Sequence, residues 1–264
     1  KKTKIKNTFM YLTNQSLNKQ GFKFLDNDKT NLNNFINEVK QIVERFFTNE
    51  KKLKNLSNND FNKIVFKAQQ EINKKHNPVK LFEKYSKLFK KEFSSKKIYT
   101  QHYFYLRAIR PQNFTKNKNS IGIHRETFQG PKWFKNIINL WIPIKNCRKD
   151  NAINHYEKSH KLKKNKDFFL EEFSVPIRKG SYGHKTGNLY LERKIKFTKK
   201  RKETRLFKKN NSIIFSGELM HGNGKNYSKK IRFSIDARFI IKKHFKHNII
   251  QSANNKPYFA LVNI

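Results

Sequence analysis

Apolar positions recur at three- and four-residue spacing through the first third of the chain, and this predicts amphipathic helices. Asn34–Thr48 sets Phe35, Val39, Ile42, Val43 and Phe46 on one face. Asp60–Lys74 does the same with Phe61, Ile64, Val65, Ala68 and Ile72, and Val79–Phe93 with Leu81, Phe82, Tyr85, Leu88 and Phe89. Stripes of this kind are core faces and need a surface to pack on. After Ser95 the texture changes to short β-branched and aromatic runs separated by Gly, Asn and Lys-rich turns. Strands are expected near Ile98–Ile109, Ile121–Glu126, Ile137–Ile144, Ile153–Lys158, Leu189–Phe197, Ile213–Phe215, Ile231–Ile241 and Tyr258–Val262. Strands following a helical third predict a mainly β fold with α, a jelly roll or related double-sheet fold whose N-terminal helical region (residues 1–95) packs on one face of a β domain (residues 96–264). The charged stretch 161–188, with Gly180, Gly183 and Gly187, reads as an inserted loop within that domain.

Composition changes this picture in two ways. With 25 Phe among 264 residues and 36% hydrophobic content, a core is affordable and a wholly disordered chain is excluded. No apolar run reaches the roughly 18 residues of a membrane span. The longest, near 136–144, is broken by Asn139 and Pro143. Cys147 is the sole cysteine, so no intramolecular disulfide forms, which fits a reducing compartment and a cytoplasmic expectation. The chain starts at Lys1 rather than Met, so an upstream segment is expected to be missing. The net charge of +41 is mostly Lys with Asn beside it. A field of this sign favours anionic partners, although the same composition arises from AT-rich coding and solvated surface Lys. No RNP-like, zinc-finger or helix-turn-helix motif accompanies it, so nucleic acid lacks support from any motif.

Candidate chemistry lies in His124-Arg125-Glu126, behind Gly122. On an extended strand residues i and i+2 share a face, so an imidazole and a carboxylate here can flank one metal ion. The pattern is short, and His155-Tyr156-Glu157 repeats it as a rival. Further on, the apolar run Ser212–Met220 delivers His221 beside Gly222, Asn223 and Gly224, and Arg232 follows in Ile-Arg-Phe-Ser-Ile-Asp-Ala-Arg-Phe. Two His and one carboxylate with open positions make a non-haem Fe(II) facial triad, and a guanidinium suits a carboxylate-bearing cosubstrate.

Five pieces occur in order: His124-Arg125-Glu126; Asn139-Leu140-Trp141-Ile142-Pro143-Ile144; Asn151-Ala152-Ile153 running to Ser159-His160-Lys161; His221-Gly222-Asn223-Gly224 with Asn226; and Arg232 in its Arg-x-Ser strand. In these the chain resembles the Fe(II)/2-oxoglutarate-dependent oxygenases of the phytanoyl-CoA dioxygenase-like group, over roughly 98–241. The resemblance implies a double-stranded β-helix. It implies metal ligands at His124, Glu126 and His221, a 2-oxoglutarate carboxylate clamp at Arg232, and cosubstrate-lining positions at Trp141 and Asn223. Arg107 and Trp133 are expected on the substrate side, and Asp236 with Arg238 as a structural pair. The activity implied is oxidation, by default hydroxylation, of a small or glycan- or lipid-linked substrate, which the charge predisposes to be anionic. The alternative is a basic binding module without catalysis, for an anionic polymer or membrane surface. The family's usual acid is Asp, so Glu126 departs from it by one methylene, while the retained carboxylate argues against halogenation.

Overall fold

The computed structural model describes residues 15–87, 89, 97–111, 122–128, 132–176, 189–241 and 259–263. The helices α1 (Gln15–Gln20), α2 (Leu32–Phe46), α3 (Glu50–Asn55), α4 (Asn58–Lys75) and α5 (Pro78–Lys84) come from the first third. Their starts are coded locally. The Asn49, Ser57 and Asn77 side chains accept from the backbone N–H three residues on, and Pro78 occupies the first turn of α5, where its missing N–H costs nothing. The predicted Val79–Phe93 helix is interrupted rather than continuous: α5 ends at Lys84, Tyr85 is a turn, Ser86, Lys87 and Phe89 are helical again, and the stretch beyond Phe89 lies outside the described residues.

Between α1 and α2 the chain forms β1 (Phe22–Asp26), which the sequence pattern did not predict. The remaining strands are β2 (Lys97–Gln101), β3 (Tyr105–Ile109), β4 (Ile138–Lys145), β5 (Ile153–Tyr156), β6 (Phe168–Pro176), β7 (Leu189–Phe197), β8 (Glu203–Leu206), β9 (Asn211–Ser216), β10 (His221–Asn223), β11 (Arg232–Ile241) and β12 (Phe259–Asn263). The single strand expected over 98–109 is two, β2 and β3, both pairing with β11 at different registers. The stretch expected as an inserted loop instead carries β6, which pairs antiparallel with β7 along its whole length; residues 177–188 lie outside the described set.

A seven-stranded antiparallel sheet runs β1-β9-β4-β11-β2-β12, with β3 also on β11, and a three-stranded sheet runs β10-β5-β8. Side-chain alternation gives the large sheet two unlike faces. On one face Ile138, Leu140, Ile142 and Ile144 of β4 and Phe233, Ile235, Ala237, Phe239 and Ile241 of β11 form one continuous core with the apolar stripes of α2, α4 and α5. The Glu44–Lys145 ion pair at 2.9 Å adds a polar tie between α2 and β4. On the other face Trp141, Ile213 and Phe215 meet Ile153 and Leu206 of the small sheet. Two antiparallel sheets closed face to face, with helices on one outer face, are the jelly-roll arrangement of a double-stranded β-helix. The inner face is where polar residues appear. Asn139 and Trp141 on β4 stand opposite Arg238 and Asp236 on β11, with Ser234 and Arg232 continuing the row.

Candidate metal centre

Residues 122–126 run antiparallel beside β10. Where a strand was expected over 121–126, the structure has a single bridge, His124 to His221, followed by a 3-10 turn over Glu126–Phe128; Ile121 is outside the described residues. The bridge is reciprocal: His124 N donates to His221 O at 2.8 Å and His221 N to His124 O at 2.9 Å. Gly222 permits this approach, since a Cβ there would lie 3.0 Å from Gly122 O. Glu126 N then donates to Gly217 O at 2.8 Å, which turns the carboxylate inward.

His124, Glu126 and His221 converge, with one ligand-type atom from each lying within 4.8 Å of the others, and all three residues are buried. The imidazole rings are 4.5 Å apart. His124 Nδ1 lies 2.8 Å from Gly122 O, and His221 Nδ1 lies 2.8 Å from Leu219 O. Each ring therefore donates through Nδ1 to a backbone carbonyl and keeps the Nε2 lone pair, an orientation typical of metal-binding histidines. His221 Nε2 is 3.7 Å from Glu126 Oε1, and Glu126 Oε2 is 3.1 Å from Arg238 Nη2. Arg238 and the Asn139 amide are the donors beside this carboxylate, which is 1% exposed. An ionised carboxylate so buried is normally saturated with donors.

The charge states fit ligation. Burial, with His124 adding to it, pushes His221 down to about 3, and burial likewise lowers His124. Burial alone would raise Glu126, but Arg238 and the two imidazoles outweigh it and hold the carboxyl below its ordinary value. Two neutral imidazoles and a carboxylate thus face one point at neutral pH, a donor set suited to a divalent first-row transition ion with several positions left open.

Arg232 is fully buried at the start of β11. Its Nη1 donates to Asn151 O at 3.2 Å and its Nη2 to Asn223 Oδ1 at 3.3 Å, and the guanidinium carbon is 6.0 Å from the Trp141 ring centre. Arg232, Asn223 and Trp141, expected as one group, are thus adjacent. No carboxylate pairs with Arg232 among the described residues. Arg232 Nε, Trp141 Nε1 and Ser234 Oγ are buried without a hydrogen-bond partner among the described residues, a row of polar groups facing the interior. Arg107, expected on the substrate side, instead forms an ion pair at 2.6 Å with Asp236. The expected Asp236–Arg238 pair is therefore not formed: residues i and i+2 on one strand each meet a nearer partner, Arg107 on β3 and Glu126 at the turn. Trp133 falls in the 3-10 turn Lys132–Asn136, and its side chain lies outside the described residues. The rival pair is excluded from the cluster. His155 Nδ1 lies 3.2 Å from Thr204 O with its ring against Phe22, while Glu157 is exposed.

Arg238 was missed as a site residue. A signal existed, because it sits in phase with Arg232, Ser234 and Asp236 on the inner face of β11.

No family model matches the chain, and no curated protein matches it. Among solved structures the chain is similar to apo EctD from S. alaskensis, at 10% identity over 87% of this chain and 76% of that one, with a TM-score of 0.49. It is similar to the non-haem monooxygenase ThoJ in its apo form at 12% identity, 94% and 82% coverage and a TM-score of 0.47. It is also similar to SnoN, a non-haem α-ketoglutarate-dependent epimerase from nogalamycin biosynthesis, at 10% identity, 85% and 77% coverage and a TM-score of 0.44. At these identities and TM-scores no function passes from them to this chain. Among the described residues no helix is long and apolar enough to cross a membrane.

Proposed function

We propose that this chain is a non-haem Fe(II)- and 2-oxoglutarate-dependent dioxygenase that oxidises a small or glycan- or lipid-linked substrate, with hydroxylation as its default outcome. One observation carries the reading: two neutral imidazoles, locked through Nδ1, converge with a buried carboxylate, one ligand-type atom of each lying within 4.8 Å of the others. Two imidazoles and a carboxylate are a donor set that a divalent transition ion takes. A module that only binds anions has no use for it.

His124, Glu126 and His221 would hold the metal, and together with 2-oxoglutarate it supplies the oxidising power for attack on an unactivated C–H bond. The chain contributes placement. Arg232, fully buried and without a carboxylate partner among the described residues, would take the distal carboxylate of the cosubstrate, with Trp141, Ser234 and Asn223 beside it. The two packed sheets exclude water from this region, which strengthens each charge interaction inside it. Glu126 with its single negative charge and Arg232 with its positive one stand at opposite ends of the same inner face, so a dianionic cosubstrate is drawn to the Arg232 end.

The test is iron-dependent conversion of 2-oxoglutarate to succinate by purified protein. His221→Ala is expected to abolish it, and normal turnover by that variant would overturn the ligand assignment. An anionic substrate predicts an apparent KM that rises with added salt at unchanged iron binding. A chain that binds polyanions salt-dependently yet never consumes 2-oxoglutarate would belong to the binding-module class instead.

A further inference from the structure

The acid of this site is a glutamate where the resembling family usually has an aspartate, and its surroundings differ on the two sides of the carboxylate. Oε1 faces His221 Nε2 at 3.7 Å, and Oε2 faces Arg238 Nη2 at 3.1 Å. The ion pair with Arg238, shorter than the contact with His221, sets the rotation of the carboxylate, with the Asn139 amide beside it. Arg238 is itself placed by the fold. It lies on the inner face of β11 opposite Asn139, and its carbonyl accepts from Thr100 Oγ1 at 3.1 Å. Gly217 closes the other side of the glutamate, where a Cβ would come within 2.9 Å of Glu126 Cγ, 3.0 Å of Ile137 O and 3.1 Å of Phe134 O. Gly217 thus lies directly beside that Cγ and leaves room for it by lacking a side chain.

An aspartate would put its carboxyl carbon where Glu126 has Cγ, beside Gly217, and stop about 1.5 Å, one carbon–carbon bond, short of Arg238. We infer that the site is built for glutamate, with Arg238 as the positioning residue that occupies Oε2 and leaves Oε1 alone to the metal. This rests on the metal-binding reading proposed above. The consequence is chemical. A six-coordinate ion held by three protein atoms keeps three positions for cosubstrate and oxygen, whereas a carboxylate binding through both oxygens takes one of them.

The experiment uses chelator-stripped wild-type protein and Glu126→Asp, Arg238→Met and Arg238→Lys variants. Each is titrated with Co(II) by calorimetry and by the visible absorption of the bound ion, which reports coordination number. The expected result is Co(II) binding at least tenfold weaker in Glu126→Asp and Arg238→Met, a changed spectrum in Arg238→Met, and partial recovery in Arg238→Lys. Glu126→Asp binding Co(II) as tightly as wild type overturns a site built for glutamate, and Arg238→Met with wild-type affinity and spectrum overturns the positioning role. A second readout needs no metal: the stripped Arg238→Met protein melts lower than wild type, and adding Glu126→Gln restores much of that loss, because the neutral amide no longer needs the guanidinium. A residue that merely packed would show no such rescue, and its absence counts against the proposal. Wild-type protein that binds no Co(II) overturns the metal-binding reading itself, an outcome separate from the variant results.

Discussion

Acidification of the metal-free protein probes the triad without any assumption about substrate. His221 titrates at about 3 in the folded chain against an ordinary 6.5, with burial as the main cause. Between those values the unfolded chain binds more protons than the folded one, so stability present above pH 6.5 is lost as the pH falls toward 3. Integrating that one shift gives a loss of about 2 kcal/mol between pH 7 and pH 5, a large share of the 5–15 kcal/mol typical of a domain. The depressed Glu126 carboxyl acts in the same direction at lower pH, and burial lowers His124, His155 and His160 as well. Urea denaturation of chelator-treated protein from pH 7 to pH 5 measures the effect. His221→Asn, whose amide can still donate to Leu219 O, is expected to lose about 2 kcal/mol less over that range than wild type. Equal losses in variant and wild type would refute a buried, neutral His221. Added Mn(II) is expected to stabilise the wild type most at pH 7 and progressively less toward pH 5, as protons compete for the same nitrogens.

Arg232→Met should remove the stabilisation that 2-oxoglutarate confers while sparing Mn(II) binding. At a hundredfold excess over Kd that stabilisation is about 2.7 kcal/mol, on the order of 5–10 °C for a chain of this size, and an unchanged thermal shift in the variant would relocate the cosubstrate. Gly217→Ala forces a Cβ against Glu126 Cγ and Ile137 O, so a stability loss of about 1–3 kcal/mol with weakened metal binding is expected. Wild-type stability and metal affinity in Gly217→Ala would show that the glutamate is not packed against Gly217.

The helices α2 and α4 were legible in the sequence because their stripes pack on a sheet and nothing overrides the period. The inner row of β11 was legible too, since a strand cannot hide strict alternation between Phe233, Ile235, Ala237 and Arg232, Ser234, Asp236. Other elements escaped. β1 is five residues at the edge of the large sheet, and only Leu25 within it is buried, so its pattern is faint. β6 lies in a charged stretch where pairing with β7, a long-range contact, makes the strand. The His124 segment was expected to be extended and is instead a lone bridge, and the carboxylate reaches the site because Gly217 O captures Glu126 N. The ordered motif pieces pointed to His124, Glu126 and His221. The role of Arg238 required cross-strand register and the fold of the turn, which local spacing does not encode.

The most direct measurement is a crystal structure of the protein with Mn(II) and 2-oxoglutarate, using anomalous scattering to locate the ion. A single ion bonded to His124 Nε2, His221 Nε2 and one oxygen of Glu126, with the cosubstrate's distal carboxylate on Arg232, is the predicted result. An ion bound elsewhere, or a triad that stays empty at saturating Mn(II), would contradict it.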